Sequence, residues 1–420
     1  MTSLRARVVT VATVLAIAAA AVNAGAATRS STPPPTPVPP RGSPSPFPTS
    51  LATPSDPTRE PIIPAASALL ADLDTGQVLY AKDAAVPRPI ASVTKIMTAL
   101  LTLETLPLHH IARVDPRAVF ERNDYGASST LGLRAGERIS VENLLYALLL
   151  GSANDAAVAL AIAVDGSVPA FVAHMNTRAR QLGMVHTRFF SASGLDDRGH
   201  ATPRDLLRLA RFTDTNEAFR TITATRFRRI PAPRGRDRVI QNRNALLWLY
   251  AGAIGTKTGL TDEAGNCLVA SAMREGRRLV AIVLDAPREP FSSAAALLDY
   301  GFEGWDQQTL VRAGEPAGTV ALRGGSVQVA TAADLAALVP ARGEDEVSER
   351  TILDPAAAFP PAPGEAVAIL VVHRGPRVLG RVALVVASVP PAPASSGPWW
   401  ARAAGAVAGG VIDGIRAIAA

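Results

Sequence analysis

Thirty-four prolines are spread so unevenly along these 420 residues that they limit where a folded core can form. Residues 27–63 carry Pro33, Pro34 and Pro35 and repeated Ser-Pro and Thr-Pro steps. Proline has no amide donor and holds the residue before it extended, so such a stretch reads as a tether that buries nothing. A second Pro/Ser linker occupies residues 390–398. Folded structure is therefore expected between about residues 64 and 390, long enough for more than one compact unit.

The two ends have their own signatures. Arg5 and Arg7 precede an apolar run over residues 8–22, and Ala24-Gly25-Ala26 offers small residues for cleavage. Residues 1–26 thus read as a secretory signal, with a single-pass anchor as the alternative for a run this short. At the other end Trp400, Ala403, Val407, Val411, Ile415 and Ile418 fall on one helical stripe, with Arg402, Asp413 and Arg416 off it. Residues 399–420 suit an interfacial membrane helix better than a spanning one; a helix packed on its own protein is the alternative. The formal charge is +6 and the pI about 9.9, which fits work beside anionic envelope polymers or lipids. No basic run is interleaved with aromatics, which argues against nucleic acid as a partner. Cys267 is the one cysteine, so neither an internal disulfide nor a cysteine metal cluster is possible, and it reads as a small buried hydrophobe.

Residues 66–73 and 76–80 read as strands around an Asp74-Thr75-Gly76 turn. From 92 to 103 the period becomes helical, with Ile96, Leu100 and Leu103 on one stripe. Apolar helices over 141–150 and 155–164 flank Gly151-Ser152-Ala153-Asn154, and 253–258, 267–273 and 279–285 read as paired strands. The result is an α/β domain over residues 64–300, a helical cluster held between early and late strands. Short β runs at 318–322, 327–330, 366–372 and 380–388, divided by Gly and Pro turns, predict a small all-β domain over 301–390. Residues 391–420 hold the second linker and the amphipathic helix.

Of 42 basic residues only three are lysine, and two of these sit in short motifs: Lys95 closes Ser92-Val93-Thr94-Lys95 and Lys257 opens Lys257-Thr258-Gly259. Arginine stays protonated, whereas a lysine buried beside another cation can release its proton. Ser92 and Lys95, three apart near a helix start, share a face, so a neutral amine can take the serine proton. Ser152-x-Asn154 is the sole Ser-x-Asn; it can relay a proton and hold an amide, or simply cap the following helix. Lys257 and Thr258 can grip a carboxylate. Gly259 would let a substrate backbone add to a strand edge, though a plain surface strand end has the same composition. Lys257 is expected to remain charged and to depress Lys95.

Ser-x-x-Lys, Ser-x-Asn and Lys-Thr-Gly in this order resemble the motifs of penicillin-binding proteins and class A β-lactamases. The chain resembles the low-molecular-mass serine D-Ala-D-Ala carboxypeptidases over about residues 65–390. Further matching stretches are 144–160, Gly183-Met184-Val185-His186-Thr187, Gly194-Leu195 and Leu260-Thr261-Asp262-Glu263-Ala264-Gly265. The resemblance implies a β-lactamase/DD-peptidase-like fold, an antiparallel sheet with a helical cluster, followed by the β-rich domain and a membrane-associating tail. It implies that Ser92 is acylated, Lys95 accepts its proton, and Ser152 and Asn154 assist. Lys257, Thr258 and Gly259 would bind substrate, and the N–H groups of Ser92 and Leu260 would hold the oxyanion. Peptidoglycan stem peptides and β-lactams are the implied partners; no metal and no cofactor are expected. Ser191-Ala192-Ser193 departs from the family's usual Asn-Pro before Gly194, and residues 200–205 vary its usual segment. A D,D-endopeptidase would use the same residues. A class A β-lactamase needs a glutamate for deacylation, and residues 155–216 contain none.

Three features stand apart from these motifs. Arg226, Arg228, Arg229, Arg234, Arg236 and Arg238 form either a solvated hairpin or a contact for an anionic envelope polymer. His200 reads as a helix-start neighbour and Lys82 as a free surface charge.

Overall fold

A computed structural model of the chain describes residue 51 and residues 56–120, 129–342 and 347–388. The signal segment, most of the first tether, the second tether and the tail helix lie outside the described residues. Among the described residues no single helix is long and apolar enough to cross a membrane.

A five-stranded antiparallel sheet organises the first part. It consists of β1 (Ser67–Asp72), β2 (Val78–Lys82), β3 (Ala253–Thr261), β4 (Gly265–Arg274) and β5 (Arg277–Ala286), in spatial order β2-β1-β5-β4-β3. Early and late strands therefore meet in one sheet, as their apolar runs require: β1 pairs with β5 from Ser67↔Leu284 to Asp72↔Leu279. Every residue of β1 is buried, because both faces of the sheet are covered. On one face lie α1 (Lys95–Thr105), α2 (Val141–Leu149), α3 (Asn154–Asp165), α4 (Val168–Gln181), α5 (Pro203–Asp214) and α6 (Glu217–Ala224). The other face is closed by the helix Phe291–Glu303, whose Leu297 and Leu298 are fully buried. The helix expected to start at Ser92 begins instead with a 3-10 turn, Ala91–Thr94, that passes into α1 at Lys95.

The second part is all β. Trp305–Val311 pairs with Leu335–Pro340, and a five-stranded sheet runs in the order Pro316–Leu322, Gly325–Thr331, Arg377–Ser388, Ala366–Arg374, Val347–Leu353. It encloses its own apolar core around Val327, Val367 and Leu384. The two parts are joined across the Gln77 side chain, which donates to Leu338 O at 2.5 Å and accepts the Leu338 N–H at 2.8 Å. Arg277 adds bonds to the carbonyls of Phe302 and Trp305.

Lys82, read as a surface charge, also has a structural task. Its amine donates to the carbonyls of Ile63 and Ala65, both at 2.8 Å, and so ties the end of the tether to β2. His200 belongs to a two-residue strand with Ala201 that pairs with Arg88–Pro89, while Thr202 caps α5.

Candidate active site

Lys95 is fully buried, and three oxygens surround its Nζ. Ser92 Oγ lies at 2.7 Å, Asn154 Oδ1 at 2.8 Å and the carbonyl oxygen of Ser193 at 2.6 Å. The latter two can only accept. A neutral amine has two N–H groups and one lone pair, so with both N–H groups taken by carbonyls the lone pair is left for the Ser92 hydroxyl. The charge state supports this arrangement: burial holds Lys95 well below the ordinary lysine value, helped by Lys257 and Arg243 and opposed by Asp155. The amine is arranged as a base.

Lys257 is also buried, and its Nζ donates to Thr258 O at 2.8 Å. Burial first, then the charge of Arg243, lowers it to about 7. The expectation that Lys257 stays charged therefore depends on an anion beside it. It loses its proton near neutrality unless an anion joins it, because an opposite charge favours the protonated form.

The backbone that presents these groups is forced at several points. Ala91, just before Ser92, and Ser152 have φ of 45° and 59°, values that cost a non-glycine residue about 1–2 kcal/mol each. At Gly194, φ is +79° and an added Cβ would stand 1.9 Å from Ala91 O, so only glycine lets this strap cross the Ala91–Thr94 turn. Thr98 Oγ1 fastens the strap through Ala192 O at 2.6 Å, and Asp197 fastens its far end to Thr261 Oγ1, also at 2.6 Å. Gly259 has a structural reason besides the one expected. A Cβ there would come within 2.8 Å of Ile90 O and 3.2 Å of Ser92 N, so the glycine lets β3 press against the turn that carries Ser92. The strand edge is thereby set beside the Ser92 N–H.

Ser152 is 5% exposed in the loop between α2 and α3. The capping alternative for this motif does not hold: the N-cap of α3 is Ala153, with no side-chain cap bond, and Asn154 is the first residue of the helix. Asp155 explains how the loop is held. Its buried carboxylate accepts the N–H groups of Leu131, Gly132, Leu133 and Ala156 at 2.8 to 3.0 Å. Thr258 is half-buried and the Leu260 side chain 66% exposed on the edge strand.

Two contributors escaped the motifs. Arg243 acts electrostatically on both lysines, yet it is one of seven arginines between 226 and 243, and nothing in its neighbours distinguishes it. The Ser193 carbonyl is backbone and has no residue signature at all.

The profile of the Peptidase S11 family, D-alanyl-D-alanine carboxypeptidase, matches residues 54–288. The D-alanyl-D-alanine carboxypeptidase DacF of Bacillus subtilis is 32% identical over 287 residues, covering 67% of this chain and 74% of that protein. A D-alanyl-D-alanine endopeptidase of Escherichia coli is 33% identical over 239 residues, 54% of this chain and 73% of its own. The crystal structure of penicillin binding protein 5 from Haemophilus influenzae superposes with a TM-score of 0.64 at 28% identity, over 78% of this chain and 98% of that one. A match of this extent, centred on a buried lysine facing a serine, makes the chain a member of the D-alanyl-D-alanine carboxypeptidase family.

Proposed function

We propose that the enzyme removes the terminal D-Ala from peptidoglycan stem peptides through an ester on Ser92, and that penicillins acylate the same oxygen. The observation that carries this reading is the Lys95 amine, buried and hydrogen-bonded to two carbonyl oxygens with Ser92 Oγ at 2.7 Å. Lys95 takes the hydroxyl proton as Ser92 Oγ attacks the carbonyl carbon between the two D-Ala residues. The N–H groups of Ser92 and Leu260 receive the developing oxyanion; the approach of Gly259 to Ser92 N supports that pairing. Ser152 passes a proton to the departing amine, and the free side-chain amide of Asn154 steadies the substrate. Lys257, Thr258 and Arg243 hold the terminal carboxylate, which in turn raises the depressed Lys257 and keeps it charged. Water then releases the acyl group and restores Ser92.

The same site suits a D,D-endopeptidase, and a relative bearing that name favours keeping this second reading. Export by residues 1–26 and surface attachment through residues 399–420 would place the enzyme on the outer side of the cytoplasmic membrane.

A labelled penicillin and two substrates test the proposal. Wild type should take up the label and release D-Ala from a pentapeptide faster than it cleaves a cross-linked dimer, and Ser92→Ala should do neither. Equal labelling of Ser92→Ala would remove Ser92 as nucleophile; faster cleavage of the dimer would make the enzyme an endopeptidase.

A further inference from the structure

The positive charge of this chain is gathered in one place. Between Arg226 and Arg243 stand seven arginines and a single acid, Asp237, a surplus of six. The whole chain carries +6, so the rest of it is formally neutral. The segment forms an antiparallel hairpin, Phe227–Ile230 with Arg238–Gln241, and strand alternation sorts its arginines onto two faces.

The inward arginines are held against the protein. Arg238 donates to both oxygens of Glu137, at 2.6 and 2.9 Å. Arg228 lies 3.2 Å from Glu142, bonds Asn143 and covers the Tyr146 ring at 4.2 Å. The outward ones are not neutralised in this way. Arg229 is exposed opposite Val239, and the acid paired with it, Asp237, stands 3.8 Å away. Arg234 and Arg236 are exposed in the connecting loop. Arg226, also exposed, lies over Trp248 at 5.9 Å, and Trp248 meets Phe227 edge-on.

The base of this arm is a wall of the cleft. A Cβ on Gly151, the residue before Ser152, would sit 3.0 Å from Ile240 Cγ2. The Arg243 N–H bonds Leu150 O at 3.1 Å, and Arg238 reaches Gly132 O at 2.9 Å in the loop held by Asp155.

We propose that this hairpin is a second contact for the substrate polymer, binding free carboxylates of stem peptides along a peptidoglycan strand while one peptide end occupies the cleft. The inference rests on the D-Ala-D-Ala reading of the site. Continuity with the cleft wall favours the cleaved polymer itself over a separate phosphate-rich polymer. A single exposed ion pair contributes little, but several on one arm act together and raise the local concentration of substrate. Such attraction is screened by salt.

The test compares the full chain with R229Q/R234Q/R236Q on purified sacculi freed of phosphate polymers. At low salt the variant should bind about tenfold more weakly, and the wild-type advantage should vanish in 0.5 M NaCl, near a Debye length of about 4 Å. Release of D-Ala from a capped tripeptide with no carboxylate but its own terminus should stay within about twofold, and R229K/R234K/R236K should bind as wild type. The proposal fails if the glutamine variant binds as tightly as wild type, if the lysine variant binds as weakly as the glutamine one, or if wild type binds only walls that retain phosphate polymers. Loss of tripeptide hydrolysis in wild type itself would instead overturn the D-Ala-D-Ala reading, leaving the binding comparison intact.

Discussion

The α/β part and the β-rich part bury very different things. In the described residues from Trp305 onward the one buried polar side chain is Thr331, whereas the α/β part buries Lys95, Lys257, Asn154, Asp155, Asp205 and many hydroxyls. The β-rich part is a packed apolar core with no chemistry inside it. The α/β part carries two lysines in a place where charge is costly, and that cost is what makes their protons mobile. Burial thus serves stability in one region and reactivity in the other.

The largest expected effect would separate these roles at Lys95. Lys95→Met should abolish penicillin acylation, a loss of at least about 10³-fold, because it removes the amine hydrogen-bonded to Ser92 Oγ. It should change the melting temperature only slightly, since the cost of burying an amine is removed while Asn154 Oδ1 and Ser193 O lose its hydrogen bonds. A large loss of stability would break the contrast.

The converse substitution is Leu384→Ala in the β-rich core, where the leucine is fully buried. Unfolding of that region should become easier by about 2–5 kcal/mol, while acylation at a temperature where it remains folded should be unchanged. Denaturant titration with parallel labelling would check both; slower acylation would mean that the β-rich part shapes the cleft.

The effect that is smallest per step is graded with pH. Below about pH 7 folded and unfolded chains both hold the Lys257 proton, so its contribution is constant. Between about 7 and the unfolded lysine value of 10.5 the unfolded chain holds a proton that the folded one has released, so stability should rise with pH by up to about 1.4 kcal/mol per unit. Lys95, also lowered, adds in the same sense. Acylation by a carboxylate-bearing penicillin should fall over the same alkaline range as free Lys257 loses its charge. Lys257→Met should remove its share of the stability slope, which a melting series would detect.

Much of this was legible in the chain. The rarity of lysine singled out Lys95 and Lys257, and helical spacing put Ser92 and Lys95 within reach, since three residues along one helical turn bring side chains onto one face. The apolar runs at 66–73, 267–273 and 279–285 became strands of the central sheet, because only strands buried on both faces read so continuously. The helices α4 and α6 were not anticipated, and neither was the approach of Gly259 to the Ser92 turn, which depends on what the folded chain brings against it.

By itself, then, the sequence determined the residue types of the site and their order, the pairing of a serine with a lysine, and the succession of a mixed part by a β-rich one. Those follow from local periodicity and from side-chain chemistry. Only the tertiary structure decided which proton each lysine can hold. That depends on depth of burial, on the charge of Arg243, and on a Ser193 carbonyl brought from 98 residues away to face an amine. Electrostatic environment is a property of what surrounds a group in space, and spacing along the chain does not encode it.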